Sequence, residues 1–254
     1  MNIAVCVKQV VTRDWPLRVN ESAEWVRDHD ASFEMNEPDA YALEEALRLK
    51  EQHGGEVVVC VAGPPRVTQV IREALARGAD RAIHVQHEQL AFADANVVAS
   101  SLATAMLPEQ FDLVLTGLQS DDQGFGQTGV ILAERLGLPH ATIVMEVDAS
   151  GANGIRVKRE LEGGWFQWVS MPTPALLTIQ SGINQLRYAT LKGIMAAKRK
   201  EVRSVEPEAL QPAGQHIVRL YVPEKEKATR FIEGSPQAAS RALVRLLCEE
   251  ARVL

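Results

Sequence analysis

Apolar residues along most of the chain alternate between short continuous runs and helix-spaced stripes. The runs are rich in β-branched residues, as buried parallel strands are, and lie at residues 3–11, 56–62, 81–85, 112–116 and 175–180. The stripes follow the helical period and lie at residues 36–53, 67–76, 94–106 and 127–136. This alternation predicts an α/β fold, in which a mainly parallel, doubly wound sheet is covered by helices on both faces.

The pattern changes near residue 140. Shorter apolar runs predict strands of a β segment at residues 142–147, 155–160 and 165–169. The run 175–180 is apolar enough to rejoin the main sheet, and residues 189–200 have helical spacing.

The C-terminal part of the chain is polar. Prolines are spaced along residues 201–235, and only residues 236–252 recover a helical apolar stripe. A compact domain rarely contains about 35 residues without regular structure unless they form an arm or a linker. We therefore predict an α/β domain over residues 1–200. Residues 201–254 are predicted to form an extended arm whose terminal helix packs on a partner.

Composition narrows the class of protein. The 254 residues are 46% hydrophobic, which suits a globular core, and the net charge of -6 argues against a general nucleic-acid binder. The three cysteines lack metal-ligand spacing and a disulfide framework, as expected in a reducing compartment. Apolar runs are too short to span a membrane, and the N-terminus leads directly into a strand. We therefore expect a cytoplasmic protein without membrane insertion.

A glycine-rich loop joins a predicted strand to a predicted helix at residues 117–129 (GLQSDDQGFGQTG). Small residues let the backbone approach an anion, and the N-terminus of the helix offers unpaired N–H groups and a positive dipole. The loop has neither the Gly-Lys-Ser/Thr ending of a Walker loop nor the dinucleotide fingerprint. It therefore predicts a site for a nucleotide phosphate that undergoes no chemistry, with an ordinary strand-to-helix turn as the alternative.

Two further loops are expected at the same edge of the sheet. Residues 36–39 open the first long helix and residues 62–63 follow the second strand, so the three loops together could enclose a ribose and an adenine. Asn36 is equally consistent with a plain helix N-cap. Asp121 and Asp122 could bind Mg²⁺, but carboxylates in such loops more often make turn or ribose hydrogen bonds. Histidines and serines lack catalytic motif partners, so we expect no catalytic residues.

The second half of the chain contains a series of short motifs: VKRELEGG at 157–164, QWV at 167–169, PALLT at 174–178 and INQLRYATL at 183–191. This series resembles the signature of the electron-transfer flavoprotein β-subunit. Segments 35–36, 44–46, 78–81 and 127–129 fit it in order, so it spans nearly the whole chain. Residues 221–225 and 232–234 are similar to the bacterial branch that includes the partner of trimethylamine dehydrogenase.

This resemblance implies an electron carrier with no catalytic residues of its own and an adenine-nucleotide α-hydrolase-like, Rossmann-like fold. Members pair with an α-subunit that supplies most of the site for one FAD. They accept electrons from flavin dehydrogenases, such as acyl-CoA or amine dehydrogenases, and pass them to an electron-transfer-flavoprotein:quinone oxidoreductase. The β-subunit buries a structural AMP. By matched position, the AMP site consists of Cys6, Asn36, Asp39, Ala62, Asp122, Gly126, Gln127 and Thr128, with the phosphate at the last three.

This sequence departs from the family pattern at two positions, so the side-chain contacts that other members make there are not carried over. Many members have Asn where Gly126 stands, and some have a flavin-contacting aromatic where Arg13 stands. Members that bifurcate electrons carry a second FAD in the AMP site and typically have Val at the position of Thr128, so Thr128 favours AMP. Alternative functions are a bifurcating subunit with FAD in this site and a nucleotide-sensing regulatory module.

The segment 188–198 matches the partner-recognition loop of the family. Leu191 would be the anchor that enters an apolar site on the dehydrogenase, together with Tyr188, Ile194 and Lys198. Without the resemblance, Leu191 would be interpreted as ordinary helix core.

Overall fold

A computed structural model describes residues 1–151, 154–223 and 229–253. Its strands are β1 (Asn2–Cys6), β2 (Gln9–Val11), β3 (Phe33–Met35), β4 (Glu56–Gly63), β5 (Arg81–Gln86), β6 (Leu113–Gly117), β7 (His140–Asp148), β8 (Ile155–Glu160), β9 (Phe166–Met171), β10 (Ala175–Ile179) and β11 (Val202–Val205). Its α-helices are α1 (Glu37–His53), α2 (Thr68–Arg77), α3 (Ala95–Met106), α4 (Thr128–Leu136), α5 (Leu191–Ala197) and α6 (Pro236–Glu249).

The main sheet has the strand order β11-β5-β4-β1-β6-β10-β7-β8-β9. From β11 to β7 all neighbours pair in parallel, whereas β8 and β9 are antiparallel additions to one edge. The chain builds outward from β1 to β4 and β5, and then crosses to β6 on the other side. Strand order therefore reverses between β1 and β6, and ligands bind beyond the carboxyl ends of the strands at such a switch point.

Apolar side chains form a core on each face of the sheet. Helices α1 and α2 cover one face through Leu43, Leu47 and Ile71, which are almost completely buried. Helices α3 and α4 cover the other face through Leu102 and Leu132. The predicted doubly wound α/β class is confirmed.

The β segment does not form a separate unit. Strands β7, β8 and β9 extend the edge of the main sheet, and β10 inserts between β6 and β7. The prediction that the apolar run at 175–180 rejoins the main sheet is confirmed.

The first apolar run is not one strand, as the sequence predicted. β1 ends at Cys6, and β2 leaves the sheet to pair with β3 in a separate antiparallel ribbon. The break lies at Lys8, whose N–H donates to Asp39 and whose carbonyl accepts from the N–H of Asn36. The backbone of Lys8 is thus bound by the start of α1 and cannot continue the ladder of β1.

Part of the predicted arm belongs to the sheet. β11 pairs in parallel with β5, so the boundary expected at residue 200 precedes an edge strand of the α/β domain. Residues 206–223 contain no helix or strand. They contact the α/β domain in front of α3, where the N–H groups of Gly214 and Gln215 donate to Asp94. Helix α6 has no buried residue, although Leu243 lies on its apolar stripe.

Candidate nucleotide-binding site

A cleft opens at the switch point between the carboxyl ends of β1 and β6. We call it the nucleotide cleft. It encloses about 880 Å³ when the open space at its mouth is included. Its lining comes from the end of β1, the start of α1, the end of β4, the start of α3 and the loop before α4. The three loops expected at one edge of the sheet therefore meet here.

Helix α4 begins at this cleft with its N-terminus uncapped. Gln127 precedes the helix without a side-chain cap, and its carbonyl accepts the intrahelical bond from the N–H of Ile131. Within the described ranges, no acceptor meets the N–H groups of Thr128 and Gly129, and both residues line the cleft. The first turn carries no acidic side chain, so its dipole and N–H groups remain available to an anion.

Close packing of α4 on the sheet depends on Gly129. A Cβ added there would lie 2.6 Å from Oγ1 of Thr116 on β6 and 2.8 Å from Cγ2 of Thr178 on β10. The absent side chain lets the first turn of α4 approach the strand ends. Gly129 therefore sets the depth of the uncapped helix end in the cleft.

The carboxylate of Asp39 is buried on the cleft wall. Its Oδ2 accepts from the N–H of Lys8 at 2.8 Å, and its Oδ1 accepts from the N–H of Gly117 at 2.9 Å. Asp39 thereby joins the ends of β1 and β6 to the first turn of α1. Burial raises the pKa of Asp39 to about 7, although these backbone donors act in the opposite direction.

Asn36 does not cap α1 with its side chain, as the N-cap interpretation predicted. Its Nδ2 donates to the carbonyl of Gln119 at 3.0 Å, and its Oδ1 accepts from the N–H of Asp121 at 2.8 Å. Asp121 in turn accepts from the N–H of Glu37 through Oδ2 at 3.1 Å. The glycine loop therefore supplies the acceptor for the start of α1, while Asn36 holds the loop.

Two cations form ion pairs with the two adjacent carboxylates of the glycine loop. Nζ of Lys8 lies 2.7 Å from Oδ1 of Asp122, and Arg13 pairs with both Asp121 and Glu37. Both carboxylates therefore form ion pairs within the chain. Among the described residues, no group of three or more His, Cys, Asp or Glu side chains is arranged to hold a metal ion.

Lys8 is a site residue that the sequence analysis missed. It lines the nucleotide cleft and also a second, larger cleft, which we call the outer cleft. The available signal was a single cation directly after the first buried strand, where a parallel sheet places its ligand-binding loops.

The structure brings most of the predicted site residues together. The nucleotide cleft is lined by Cys6, Asn36, Asp39, Ala62, Gly126, Gln127 and Thr128. Asp122 instead lines the outer cleft. Contact of these residues with AMP stays a prediction.

The segment predicted to recognise a partner contains the short helix α5. Tyr188 and Leu191 are 88% and 84% exposed, and Ile194 and Lys198 are also exposed, so the helix-core interpretation of Leu191 is wrong. Helix α5 instead packs through Ala197 and through Gly193, where an added Cβ would lie 2.2 Å from the carbonyl oxygen of Ala76.

The base of this segment is fixed to α1. Arg187 pairs with the buried Glu44 at 2.8 Å and with Glu51 at 2.6 Å. Nδ2 of Asn184 donates to Oε2 of Glu45 at 3.0 Å. The exposed apolar residues of α5 are therefore held on a rigid base.

Comparison with known proteins identifies the family. The electron transfer flavoprotein domain family matches residues 24–210. The electron transfer flavoprotein subunit beta of Methylophilus methylotrophus is 37% identical, covering 98% of both chains. The subunits beta of Bacillus subtilis (strain 168) and, in mitochondria, of Oryza sativa subsp. japonica are 32% and 36% identical over the whole of both chains. This chain belongs to the electron transfer flavoprotein β-subunit family.

Proposed function

We propose that this chain is the β-subunit of a heterodimeric electron carrier and holds a structural AMP in the nucleotide cleft. The observation that supports AMP most directly is the uncapped N-terminus of α4 in a cleft at the switch point of the sheet. The phosphate would accept hydrogen bonds from backbone N–H groups of Gly126, Gln127 and Thr128. No group in this arrangement needs to react with the nucleotide, which is consistent with a structural role.

The polar residues on the opposite wall would fix the shape of that wall. Asn36 binds the loop backbone with both ends of its amide, and Asp39 accepts two backbone N–H groups. Both side chains are thus held in place where they line the cleft, and their contact with AMP is part of this proposal. Cys6 and Ala62 also line the cleft, and their small apolar surfaces would lie beside the adenine in this proposal.

The redox group in this proposal is FAD, and the α-subunit would hold most of it. When bound, FAD supplies the electron-accepting chemistry. Electrons would come from flavin dehydrogenases of the acyl-CoA or amine class and leave to a quinone oxidoreductase. This chain would contribute recognition through the exposed side chains of Tyr188, Leu191, Ile194 and Lys198. An exposed Leu on a fixed base is suited to be a small hot spot in a transient complex.

Helix α6 would pack on the α-subunit. A 14-residue amphipathic helix with no buried residue is marginal in water unless a partner covers its apolar side. The α-subunit is the proposed partner, because it is the permanent one in a heterodimer.

We also propose a cytoplasmic location. In the described parts of the chain, no helix is both long and apolar enough to span a bilayer.

The test of carrier function is reduction of the purified heterodimer by a donor. The chain is co-purified with its α-subunit and mixed with an acyl-CoA dehydrogenase or an amine dehydrogenase plus the substrate of that enzyme. Bleaching of the flavin absorbance, followed by reoxidation with the quinone oxidoreductase, is the expected result. A heterodimer that contains no flavin would overturn the proposal.

A further inference from the structure

Residues 188–198, which we call the recognition segment, form a bridge between two helices that cover the same face of the sheet. The segment directly follows Arg187, whose side chain contacts α1. Its short helix α5 packs on α2 at Gly193, where an added Cβ would meet the carbonyl oxygen of Ala76. The position of the exposed Leu191 therefore depends on how firmly both ends of this bridge are attached.

The first attachment is the guanidinium of Arg187, which spans two turns of α1. Its Nε and Nη2 donate to the buried carboxylate of Glu44 at 2.8 and 3.0 Å, and its Nη1 donates to Glu51 at 2.6 Å. The backbone N–H of Arg187 also donates to Glu44, at 3.2 Å. Main chain and side chain are thus fixed together, in a planar fork that a Lys could not reproduce.

The second attachment is the guanidinium of Arg72 on α2. Its Nη1 donates to the carbonyl of Ala197, the last residue of α5, at 2.7 Å. The same atom lies 3.4 Å from the carbonyl oxygen of Lys200, just beyond the helix. Arg72 therefore ties the C-terminal end of the recognition segment to α2.

These attachments matter because α5 has only seven residues. An isolated helix of that length is not stable in water, so its conformation depends on the contacts at its ends. A segment that was free to move would have to be ordered when a partner binds, and that ordering costs conformational entropy.

We propose that Arg187 and Arg72 are positioning residues, which pre-organise the recognition segment so that Leu191 meets a donor dehydrogenase already in its binding conformation. The loss of either attachment weakens the encounter with the donor and leaves the flavin unchanged. This inference rests on the proposed function, which assigns recognition of the donor to this segment.

The test measures KM and kcat of a donor dehydrogenase with the purified heterodimer as electron acceptor. In Arg187→Gln and in Arg72→Gln, we expect KM for the heterodimer to rise at least about fivefold, with kcat and the flavin reduction potential unchanged. The matched control is Arg48→Gln. It removes the other cation that pairs with Glu44 but does not detach the recognition segment, so its KM should equal that of wild type.

A double-mutant cycle with Leu191→Ala separates positioning from general stabilisation. If Arg187 acts through Leu191, the substitution Leu191→Ala should raise KM less in the Arg187→Gln background than in wild type, because the anchor is already misplaced. Two KM increases that simply multiply would overturn the inference. An unchanged KM in both Arg187→Gln and Arg72→Gln would also overturn it.

Failure of the inference and failure of the proposed function give different results. A heterodimer that no donor reduces, or an unchanged KM for Leu191→Ala alone, overturns the proposed role of the segment and the inference with it. An effect of Leu191→Ala without any effect of the Arg variants overturns positioning alone. If Arg187→Gln does not fold, Glu51→Gln is measured, which removes only the exposed half of the fork, and an unchanged KM contradicts the inference.

Discussion

Asn36 and Asp121 exchange the roles that their positions suggest. Asn36 stands before α1 but accepts from the N–H of Asp121, whereas the carboxylate of Asp121 accepts from the N–H of Glu37 at the start of α1. Each residue therefore satisfies the backbone of the other's segment. Helix α1 and the glycine loop become one structural unit, and the shape of the nucleotide cleft depends on both.

Replacing Asn36 should loosen this unit. Asn36→Ala leaves the N–H of Asp121 and the carbonyl of Gln119 without their partner, and we expect the free energy of unfolding to fall by roughly 2–3 kcal/mol. Urea unfolding measures the change. The control is Gln119→Ala, which removes an exposed side chain but retains the carbonyl. Equal stability of the two variants would contradict the role of Asn36.

Asp39 should make stability depend on pH. Its pKa is about 7 in the folded chain, above the ordinary value of 3.8, so the folded state retains a proton that the unfolded state releases. This contribution is complete below about pH 4 and is lost as pH rises to 7, amounting to at most about 4 kcal/mol. Unfolding of wild type and Asp39→Asn is compared from pH 4 to pH 8. The free energy of unfolding of the variant should fall less steeply with rising pH than that of wild type. Parallel pH curves for the two proteins would contradict this role of Asp39.

Gly129 should resist substitution although it lies in a helix. Gly129→Ala brings a methyl group against Thr116 and Thr178, and we expect a loss of about 1–2 kcal/mol despite the better helix propensity of Ala. Thermal unfolding is the measurement, with the exposed Glu134→Ala on the same helix as control. A Gly129→Ala variant as stable as wild type would show that α4 can move away from the strands at no cost.

Leu191 should contribute to recognition but not to stability. It is 84% exposed, so Leu191→Ala is expected to leave the melting temperature and FAD content of the heterodimer unchanged. Electron uptake from the donor dehydrogenase should slow by about fivefold to tenfold, as for loss of one small hot spot. Stopped-flow reduction measures the rate, with the neighbouring exposed Lys192→Ala as control. An unchanged rate would remove Leu191 from the interface.

Most strands and helices, in their succession along the chain, could be predicted from the sequence because most of these segments have a clear apolar period. The return of β10 to the main sheet could be predicted from the run at 175–180, which is too apolar to remain at the surface, but its position between β6 and β7 could not. β11 could not be recognised, because its four residues include only Val202 and Val205 as apolar side chains within a polar stretch. An edge strand of this length leaves almost no periodic signal.

The site was predictable only in part for a related physical reason. The glycine loop predicts an anion site through local properties of one loop and one helix end. The contacts of Lys8 and Asn36 join segments more than 80 residues apart, and the residue type alone does not specify which backbone groups such side chains will meet. Those contacts depend on the strand order, which no local pattern encodes.

The most direct measurement of the central claim is the nucleotide content of the wild-type heterodimer purified without added nucleotide. Denaturation releases the bound nucleotides, and chromatography with absorbance detection quantifies them per heterodimer. The account predicts AMP and FAD in equal amounts. FAD without AMP, or neither nucleotide in a folded complex, would contradict a structural AMP at the N-terminus of α4.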